Sequence, residues 1–278
     1  MQNSTIILGV VAYDPKVVTI WEGIREFFYE QKTPMDFVLF SNYERQTEFL
    51  LNGKVDIVWS TPLAHVRIKQ ATKGQSLSLG MRDSDQDFRS RLIVRKEAGI
   101  KIPKDLEGKR LAVGSRDSTQ ACILPLHFLK KAGVRLDLVN LLKFDSDVGK
   151  HGDTGKSELD VLTALHDGTA DAGVIGDYIW VAEQAAGRVD SGLIAAVWST
   201  PPFDHCMFDA LPSLLPAKIE AFKRSLFAMR WDNPKHRRLL ELEGLKQWMP
   251  PREEGYISLS EALTESSYES SAKSNLAP

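Results

Sequence analysis

Short apolar runs alternate with segments of helical periodicity along this chain, and the alternation occurs twice. Alternation of this kind predicts β-α-β units with largely parallel strands, so the predicted fold class is α/β. The predicted strands are 6–12, 37–40, 55–59, 77–81, 91–95, 111–114, 139–144, 172–175 and 193–198. The predicted helices are 17–28, 43–51, 62–71, 119–132, 158–166, 217–229 and 235–248.

The repeated pattern predicts two lobes. Residues 1–86 and 193–263 would form lobe 1, because the strand at 193–198 is placed to lead the chain back to it. Residues 87–192 would form lobe 2, and the Ser-rich stretch 264–278 would be a flexible tail. The chain would pass between the lobes twice, which predicts a cleft between them. Open α/β sheets bind ligands outside the carboxyl ends of their strands.

Composition excludes several classes of function. Lys and Arg sum to 35 and Asp and Glu to 37, a net charge of −2, which disfavours a nucleic-acid-binding protein. No apolar run reaches the roughly 18 residues of a membrane span. The two cysteines, Cys122 and Cys206, have no zinc-ligand spacing. We therefore expect no metal, no cofactor, no nucleic-acid partner and no membrane span.

The first residues bear on where the protein is found. Met1 to Thr5 contain no basic leader and run directly into the apolar stretch that begins at Ile6, so this chain shows no signal peptide. We expect a periplasmic protein if a signal peptide has been removed, and a cytoplasmic protein otherwise.

The segment 111–122 has the outline of an anion site. A predicted strand ends near Gly114, and Ser118 and Thr119 open a helix after a short turn. Free backbone N–H groups, the positive end of the helix dipole and two hydroxyls would meet there. Ser and Thr are also ordinary helix caps, so the pattern alone leaves capping and anion binding both open.

Similar corners follow two other predicted strands. Ser60 and Thr61 precede Pro62 at a predicted helix start, and Asp177 and Tyr178 follow the strand at 172–175. Each residue could cap its helix or contact a ligand.

Two catalytic patterns are disfavoured. The segment 149–157 ends in Gly-Lys-Ser but misses the phosphate-loop spacing by one residue, so we interpret it as a polar loop that caps the next helix through Ser157. His205 and Cys206 are adjacent, and in an extended chain their side chains point to opposite faces. A Cys-His nucleophile pair is therefore not expected.

Taken in order, six segments resemble the phosphate-, phosphite- and phosphonate-binding proteins of ABC transporters, a branch of the type 2 periplasmic binding proteins. The segments are 9–13, 55–62, 105–114, 118–119, 168–174 and 199–202, and the similarity extends to about residue 263. The resemblance implies two lobes joined by two crossing strands, a small oxyanion ligand, an ABC-transporter permease as partner and no catalysis. We expect a monomer.

The resemblance also implies a set of ligand-binding residues. Ser118, Thr119 and Gln120 would hold the oxyanion, and Gln120 stands where the family often has a third hydroxyl residue. Contacts from lobe 1 would come from Tyr13, Ser60 and Thr61. Residues near the other end of the ligand would be Glu158, Tyr178 and Asp204 or His205. Asp177 is added as a candidate ligand-binding residue because it lies at the corner after the strand at 172–175.

Two other functions remain open at this point. A cytoplasmic enzyme of the lyase or cofactor-synthesis type could use the same scaffold, with Asp177, Glu158 or His205 as acid or base. A cytoplasmic sensor subunit would bind a partner protein without turnover.

Overall fold

The computed structural model describes residues 5–274, with side chains as far as residue 265. The chain divides into two compact units. Unit 1 is Met1–Gln86 with Asp204–Glu254, and unit 2 is Asp87–Phe203 with Gly255–Pro278. The chain therefore passes between the units after residues 86, 203 and 254, and the passage after 254 is not predicted from the sequence.

The strands and helices follow the predicted alternation. The strands are β1 (Ile6–Val11), β2 (Met35–Phe40), β3 (Ile57–Ser60), β4 (Leu77–Arg82), β5 (Ser90–Arg95), β6 (Arg110–Val113), β7 (Asn140–Lys143), β8 (Ala172–Gly176), β9 (Ile194–Ser199), β10 (Met207–Ala210) and β11 (Trp248–Met249). The α-helices are α1 (Lys16–Glu30), α2 (Tyr43–Leu51), α3 (Pro62–Ala71), α4 (Leu124–Lys131), α5 (Lys156–His166), α6 (Asp177–Ala185), α7 (Pro216–Leu226), α8 (Pro234–Glu243) and α9 (Ile257–Ser274).

Unit 1 is built on a sheet of order β11-β4-β10-β3-β1-β2. β1 runs parallel to β2 and β3, whereas β10 is antiparallel to β3 and β4. The apolar residues that recur at helical spacing in α1 are all buried, as their periodicity predicts. An aromatic cluster completes this core, where the ring centroids of Trp59 and Phe208 lie 4.4 Å apart and those of Phe208 and Trp248 5.3 Å apart.

Unit 2 is built on a sheet of order β7-β6-β8-β5-β9. β6 pairs in parallel with β7 and β8, and β5 pairs antiparallel with β8 and β9. Since β6 and β8 are parallel neighbours, their carboxyl ends lie at the same edge of the sheet. This edge is where the candidate site of unit 2 is found.

The predicted boundary between the lobes at residue 193 is wrong. β9 pairs with β5 over five residue pairs, including Arg91 with Ser199 and Arg95 with Ile194, so 194–199 belongs to the sheet of unit 2. The return to unit 1 follows Phe203. The short strand β10 is not predicted from the sequence, because the charged Asp209 interrupts its apolar run although it is fully buried.

Part of the predicted flexible tail is helical. Residues 264–274 belong to α9, which contacts α4, and Lys131 Nζ of α4 lies 2.6 Å from Glu261 Oε2 of α9. The remainder of that tail, 275–278, lies outside the described residues.

Among the helices of residues 5–274, none combines the length and the apolar character that crossing a bilayer requires.

A buried histidine joins three parts of unit 1. His65 of α3 is 1% exposed, its Nδ1 lies 2.8 Å from Asp209 Oδ1 of β10, and its Nε2 lies 3.6 Å from Glu253 Oε2. Burial by itself lowers the pKa of His65, but the charges and hydrogen bonds of Asp209 and Glu253 outweigh burial and raise it to about 9. His65 is therefore a buried cation at neutral pH.

This ion pair makes unit 1 sensitive to alkaline pH. The folded-state pKa of His65 is above the ordinary 6.5, so its contribution to stability is complete below about pH 6.5 and is lost as the pH rises through about 9. Urea unfolding of the wild type and of His65→Gln should show the wild type losing more stability over that interval. His166→Gln, at the exposed end of α5, serves as the control. A wild-type advantage that does not change with pH would contradict this assignment.

Candidate functional site

Two strand-to-helix corners of unit 2 meet at one edge of its sheet. The chain leaves β6 at Val113 and starts a helix at Thr119, and it leaves β8 at Gly176 directly into α6. The register that pairs Leu111 with Ala172 and Ala112 with Gly173 places these two exits side by side. Helix starts carry unpaired N–H groups and partial positive charge, so this edge favours an anion.

Ser118 caps the helix that follows β6. Its Oγ accepts a hydrogen bond from the Ala121 N–H at 3.1 Å, so the capping interpretation is confirmed for this residue. The helix begins as one wide π-helical turn over Thr119–Ile123 and continues as α4. Short π-helical turns of this kind occur frequently at functional sites.

Three buried polar groups beside this cap lack partners. Thr119 Oγ1, Gln120 Oε1 and Ser157 Oγ accept and donate no hydrogen bond within the described residues. Their side chains belong to residues that are only 1%, 4% and 0% exposed. A buried polar group without a partner costs roughly 1 to 3 kcal/mol, and native proteins retain few of them. Such groups are suited to a bound polar ligand.

A carboxyl group bridges the two corners. Glu158 of α5 is 2% exposed, its Oε1 accepts from the Gly176 N–H at 2.6 Å, and its Oε2 accepts from Gln120 Nε2 at 3.2 Å. Burial raises the pKa of Glu158 to about 7 against the lowering effect of these two hydrogen bonds, and the charges of Asp147 and Asp153 add to the rise. Glu158 therefore titrates near neutral pH.

A glycine allows the loop before α5 to cover the helix start. Gly152 has a φ of +87°, and a Cβ there would lie 2.4 Å from Ser118 Oγ and 2.7 Å from Gln120 Nε2. The covering loop, residues 144–155, is held by Asp147, which accepts hydrogen bonds from Ser115 Oγ and from Thr154 Oγ1. Only glycine permits this close approach.

Sequence reasoning missed this covering loop and misassigned Ser157. The prediction that Ser157 caps α5 is wrong, because Gly155 is the N-cap, with a φ of +67°, and Ser157 is the second helical residue. Its hydroxyl instead lies 2.9 Å from where a Cβ at Gly114 would stand. The glycines at 149, 152 and 155, each with positive φ, are the signal from which a close-approaching loop could have been found.

The other two predicted site residues of unit 2 have different surroundings. The carboxylate of Asp177 pairs with the Arg91 guanidinium of β5. Asp177 is the first residue of α6 rather than its cap, which is Gly176. Tyr178 is 69% exposed. A ligand-binding role for either residue stays a prediction.

In unit 1, Ser60 and Thr61 lie at the end of β3 and the start of α3. Thr61 Oγ1 accepts from the Ala64 N–H at 3.3 Å, so Thr61 is the cap of α3. Ser60 Oγ is fully buried and has no partner among the described residues. Tyr13 is half-buried after β1, and the Lys16 Nζ lies 6.0 Å from its ring centroid.

Asp204 is held by an arginine where the chain re-enters unit 1. Its two carboxylate oxygens accept from Arg252 Nε at 2.6 Å and from Arg252 Nη2 at 2.5 Å. This bidentate pair occupies the carboxylate that was predicted to contact the ligand. The role of Asp204 in binding stays a prediction.

His205 and Cys206 do contact each other, contrary to the sequence-based expectation. His205 Nδ1 lies 3.1 Å from Cys206 Sγ, because both residues precede β10 and lie outside regular strand structure. The same Nδ1 lies 3.6 Å from Asp85 Oδ1. In a nucleophile-His-carboxylate triad the thiol and the carboxylate contact different ring nitrogens, so this arrangement is not a triad.

Asp85, His205 and Cys206 also lie close enough to share a metal ion, with ligand atoms within 4.8 Å of one another. However, Arg82 Nε and Nη2 each donate to Asp85 at 2.7 Å. A guanidinium already neutralises this carboxylate, so the cluster is better explained as an internal ion pair.

The comparison with known families decides what kind of protein carries this site. A sequence model of the family described as "ABC transporter, phosphonate, periplasmic substrate-binding protein" matches residues 10–256. The chain belongs to this family. No curated protein sequence matches it significantly.

Solved structures show the fold of this phosphonate-family protein. PhnD1 from Prochlorococcus marinus in complex with methylphosphonate is 18% identical with a TM-score of 0.73, and the match covers 95% of this chain and 98% of that one. A binding protein component of an ABC phosphonate transporter from Pseudomonas aeruginosa is 14% identical with a TM-score of 0.65, over 94% and 86%. The aliphatic sulphonate binding protein SsuA from Escherichia coli is 16% identical with a TM-score of 0.63, over 96% and 93%. The predicted type 2 periplasmic-binding-protein fold is confirmed.

The neighbouring hydroxyls of Ser118 and Thr119 should contribute differently to the free energy of unfolding of this protein. Ser118→Ala removes a helix cap and should lower the free energy of unfolding by about 1 kcal/mol. Thr119→Val removes a buried hydroxyl that has no hydrogen-bond partner in the described part of the chain, so it should leave that free energy within about 0.5 kcal/mol of the wild type, or raise it. Urea unfolding of the two variants checks this order. Equal losses in both would show that Thr119 Oγ1 has a structural partner.

Proposed function

We propose that this phosphonate-family protein captures a small phosphorus oxyanion, a phosphonate, phosphite or phosphate, at the helix start formed by Ser118 and Thr119. The observation that carries the proposal is a group of buried polar atoms at the carboxyl edge of β6 and β8 that have no hydrogen-bond partner within residues 5–265: Thr119 Oγ1, Gln120 Oε1 and Ser157 Oγ. An oxyanion would accept hydrogen bonds from the Thr119 and Ser157 hydroxyls, and a protonated P–OH oxygen would donate to the Gln120 carbonyl oxygen. The protein would then deliver the ligand to the permease of an ABC transporter.

The proposed oxyanion contacts are neutral donors. Hydroxyls, an amide and the N–H groups of a helix start stabilise an anion through fixed dipoles. A cluster of arginines would instead give a stronger, charge-assisted grip that depends on salt. Binding through dipoles suits a protein that must release its ligand to a transporter.

Three residues of unit 1 stay in the proposal as ligand-binding residues. Tyr13, Ser60 and Thr61 follow β1 and β3, and Ser60 Oγ supports a role in binding because it is buried without a partner in the described residues. Asp177, Tyr178, Asp204 and His205 stay in the proposal as residues near the rest of the ligand. Of these, Asp177 and Asp204 would first have to exchange their arginine partners, Arg91 and Arg252.

The family description supports binding for transport rather than catalysis. The contact between His205 and Cys206 is the observation that most favours an enzyme, and its geometry lacks the relay through two ring nitrogens that a nucleophile pair with a carboxylate requires. We therefore propose a periplasmic, monomeric binding protein.

Calorimetry tests the proposed function directly. Phosphate, phosphite, methylphosphonate and 2-aminoethylphosphonate are titrated into the folded chain, and at least one should bind. Thr119→Val should weaken that binding by about tenfold or more, since a hydrogen bond to a charged group contributes roughly 1.5 to 3 kcal/mol.

Thr163→Val is the matched control. Thr163 lies on the exposed side of α5, and its hydroxyl donates to the Leu159 carbonyl at 3.0 Å. This variant should bind as the wild type does. A folded wild type that gives no heat with any of the four oxyanions would remove the proposal, and so would a Thr119→Val variant that binds normally.

A further inference from the structure

A buried carboxyl group beside an anion site presents an electrostatic problem. Glu158 lies at the helix start where the oxyanion is proposed to bind, and its Oε2 is hydrogen-bonded to the side chain of Gln120. If the carboxyl were ionised, it would repel a bound anion strongly in this buried setting. A ligand oxygen can therefore lie against this carboxyl only when one proton is shared between the two oxygens.

Among the described residues, the groups that act most strongly on Glu158 include no cation. From β8 it receives the Gly176 N–H, and from the helix after β6 it receives the Gln120 amide. The covering loop contributes the carboxylates of Asp147 and Asp153, which act on it as like charges. Asp117 and His151 of the same region face each other at 4.0 Å, and Asp177 of α6 is paired with Arg91. Burial and the carboxylates of Asp147 and Asp153 disfavour an ionised Glu158, and they outweigh the two hydrogen bonds that favour it.

Phosphorus and sulfur oxyanions differ in whether they carry the necessary proton. A phosphate monoester has a second pKa of about 6, so phosphate and related groups keep an exchangeable proton on part of the population near neutral pH. A sulfonic acid is a strong acid, and its anion has no proton to donate. Both ligand types are found on proteins of this fold, so the fold itself does not decide between them.

We propose that Glu158 is a specificity-determining residue that selects oxyanions with an exchangeable proton, such as phosphonate, phosphite and phosphate, and rejects sulfonates. This inference rests on the proposed function of the same site. One proton lies between the Glu158 carboxyl and a ligand oxygen. It comes from the P–OH group of the ligand or from the carboxylic acid, and no bond to phosphorus forms or breaks. With a sulfonate, only a protonated Glu158 can supply it.

Calorimetry of the full chain with methylphosphonate and methanesulfonate tests the selection. At about pH 8, methanesulfonate should bind at least about tenfold more weakly than methylphosphonate, the difference expected for loss of one hydrogen bond to a charged group. On lowering the pH to about 6, the sulfonate affinity should rise by about tenfold as Glu158 takes up its proton, and the phosphonate affinity should change less.

Glu158→Gln tests the residue itself. The new amide donates a hydrogen bond at any pH, so methanesulfonate should bind about tenfold more tightly at about pH 8 than it does to the wild type, without further gain at lower pH. The Gln120 amide can turn to present its unpartnered Oε1 to the new amide. Asp160→Asn is the control, because Asp160 lies on the same helix and bonds to Ser146 on the surface. It should leave the selection unchanged.

The outcomes separate the two proposals. Methanesulfonate bound by the wild type at about pH 8 as tightly as methylphosphonate would overturn the role of Glu158 and leave oxyanion binding intact. A folded wild type that binds neither ligand nor any other phosphorus oxyanion would overturn both proposals. If Glu158→Gln does not fold, the wild-type pH series alone decides, since a sulfonate affinity that is flat between about pH 6 and 8 contradicts the proposal.

Discussion

The parallel pairing of β6 with β8 is the constraint on which the candidate site depends. Because these strands are neighbours with the same direction, the turn after Val113 and the turn at Gly176 open at one edge of the sheet. The helix that starts at Thr119 and the carboxyl of Glu158 are brought together there, and Gln120 of that helix is hydrogen-bonded to Glu158, 38 residues further along the chain. Without this pairing, Ser118, Thr119 and Ser157 would be ordinary residues near the starts of their helices.

Much of the fold could be predicted from periodicity. The bounds of α2 and α3 are as predicted, and the other strands and helices that were predicted differ mainly at their ends. The two-residue strand β11 was not predicted, because the helix predicted over 235–248 ends in α8 at Glu243. Two further elements escaped for physical reasons. β10 contains a buried charge, Asp209, whose partner His65 lies 144 residues away, and α9 has a Ser-rich sequence without a clear apolar stripe. The sheet to which β9 belongs could not be deduced either, since a strand does not encode its partner locally.

The candidate site was predictable in its centre and less so in its surroundings. Ser118 and Thr119 could be recognised because a strand, a turn and two hydroxyls follow one another in the sequence. The partners of the more distant residues could not, because Arg91 meets Asp177 across 86 residues and Arg252 meets Asp204 across 48. The covering loop was missed because the space that Gly152 leaves for Ser118 becomes evident only in three dimensions.

The central claim is that the Thr119 helix start binds the oxyanion, and a titration followed by amide NMR tests it most directly. On addition of methylphosphonate, the account predicts that the backbone N–H signals of Thr119, Gln120 and Ala121 and the side-chain NH₂ of Gln120 move together and saturate with the same affinity. Saturable binding that leaves these signals in place, with shifts confined to other parts of the chain, would contradict the account.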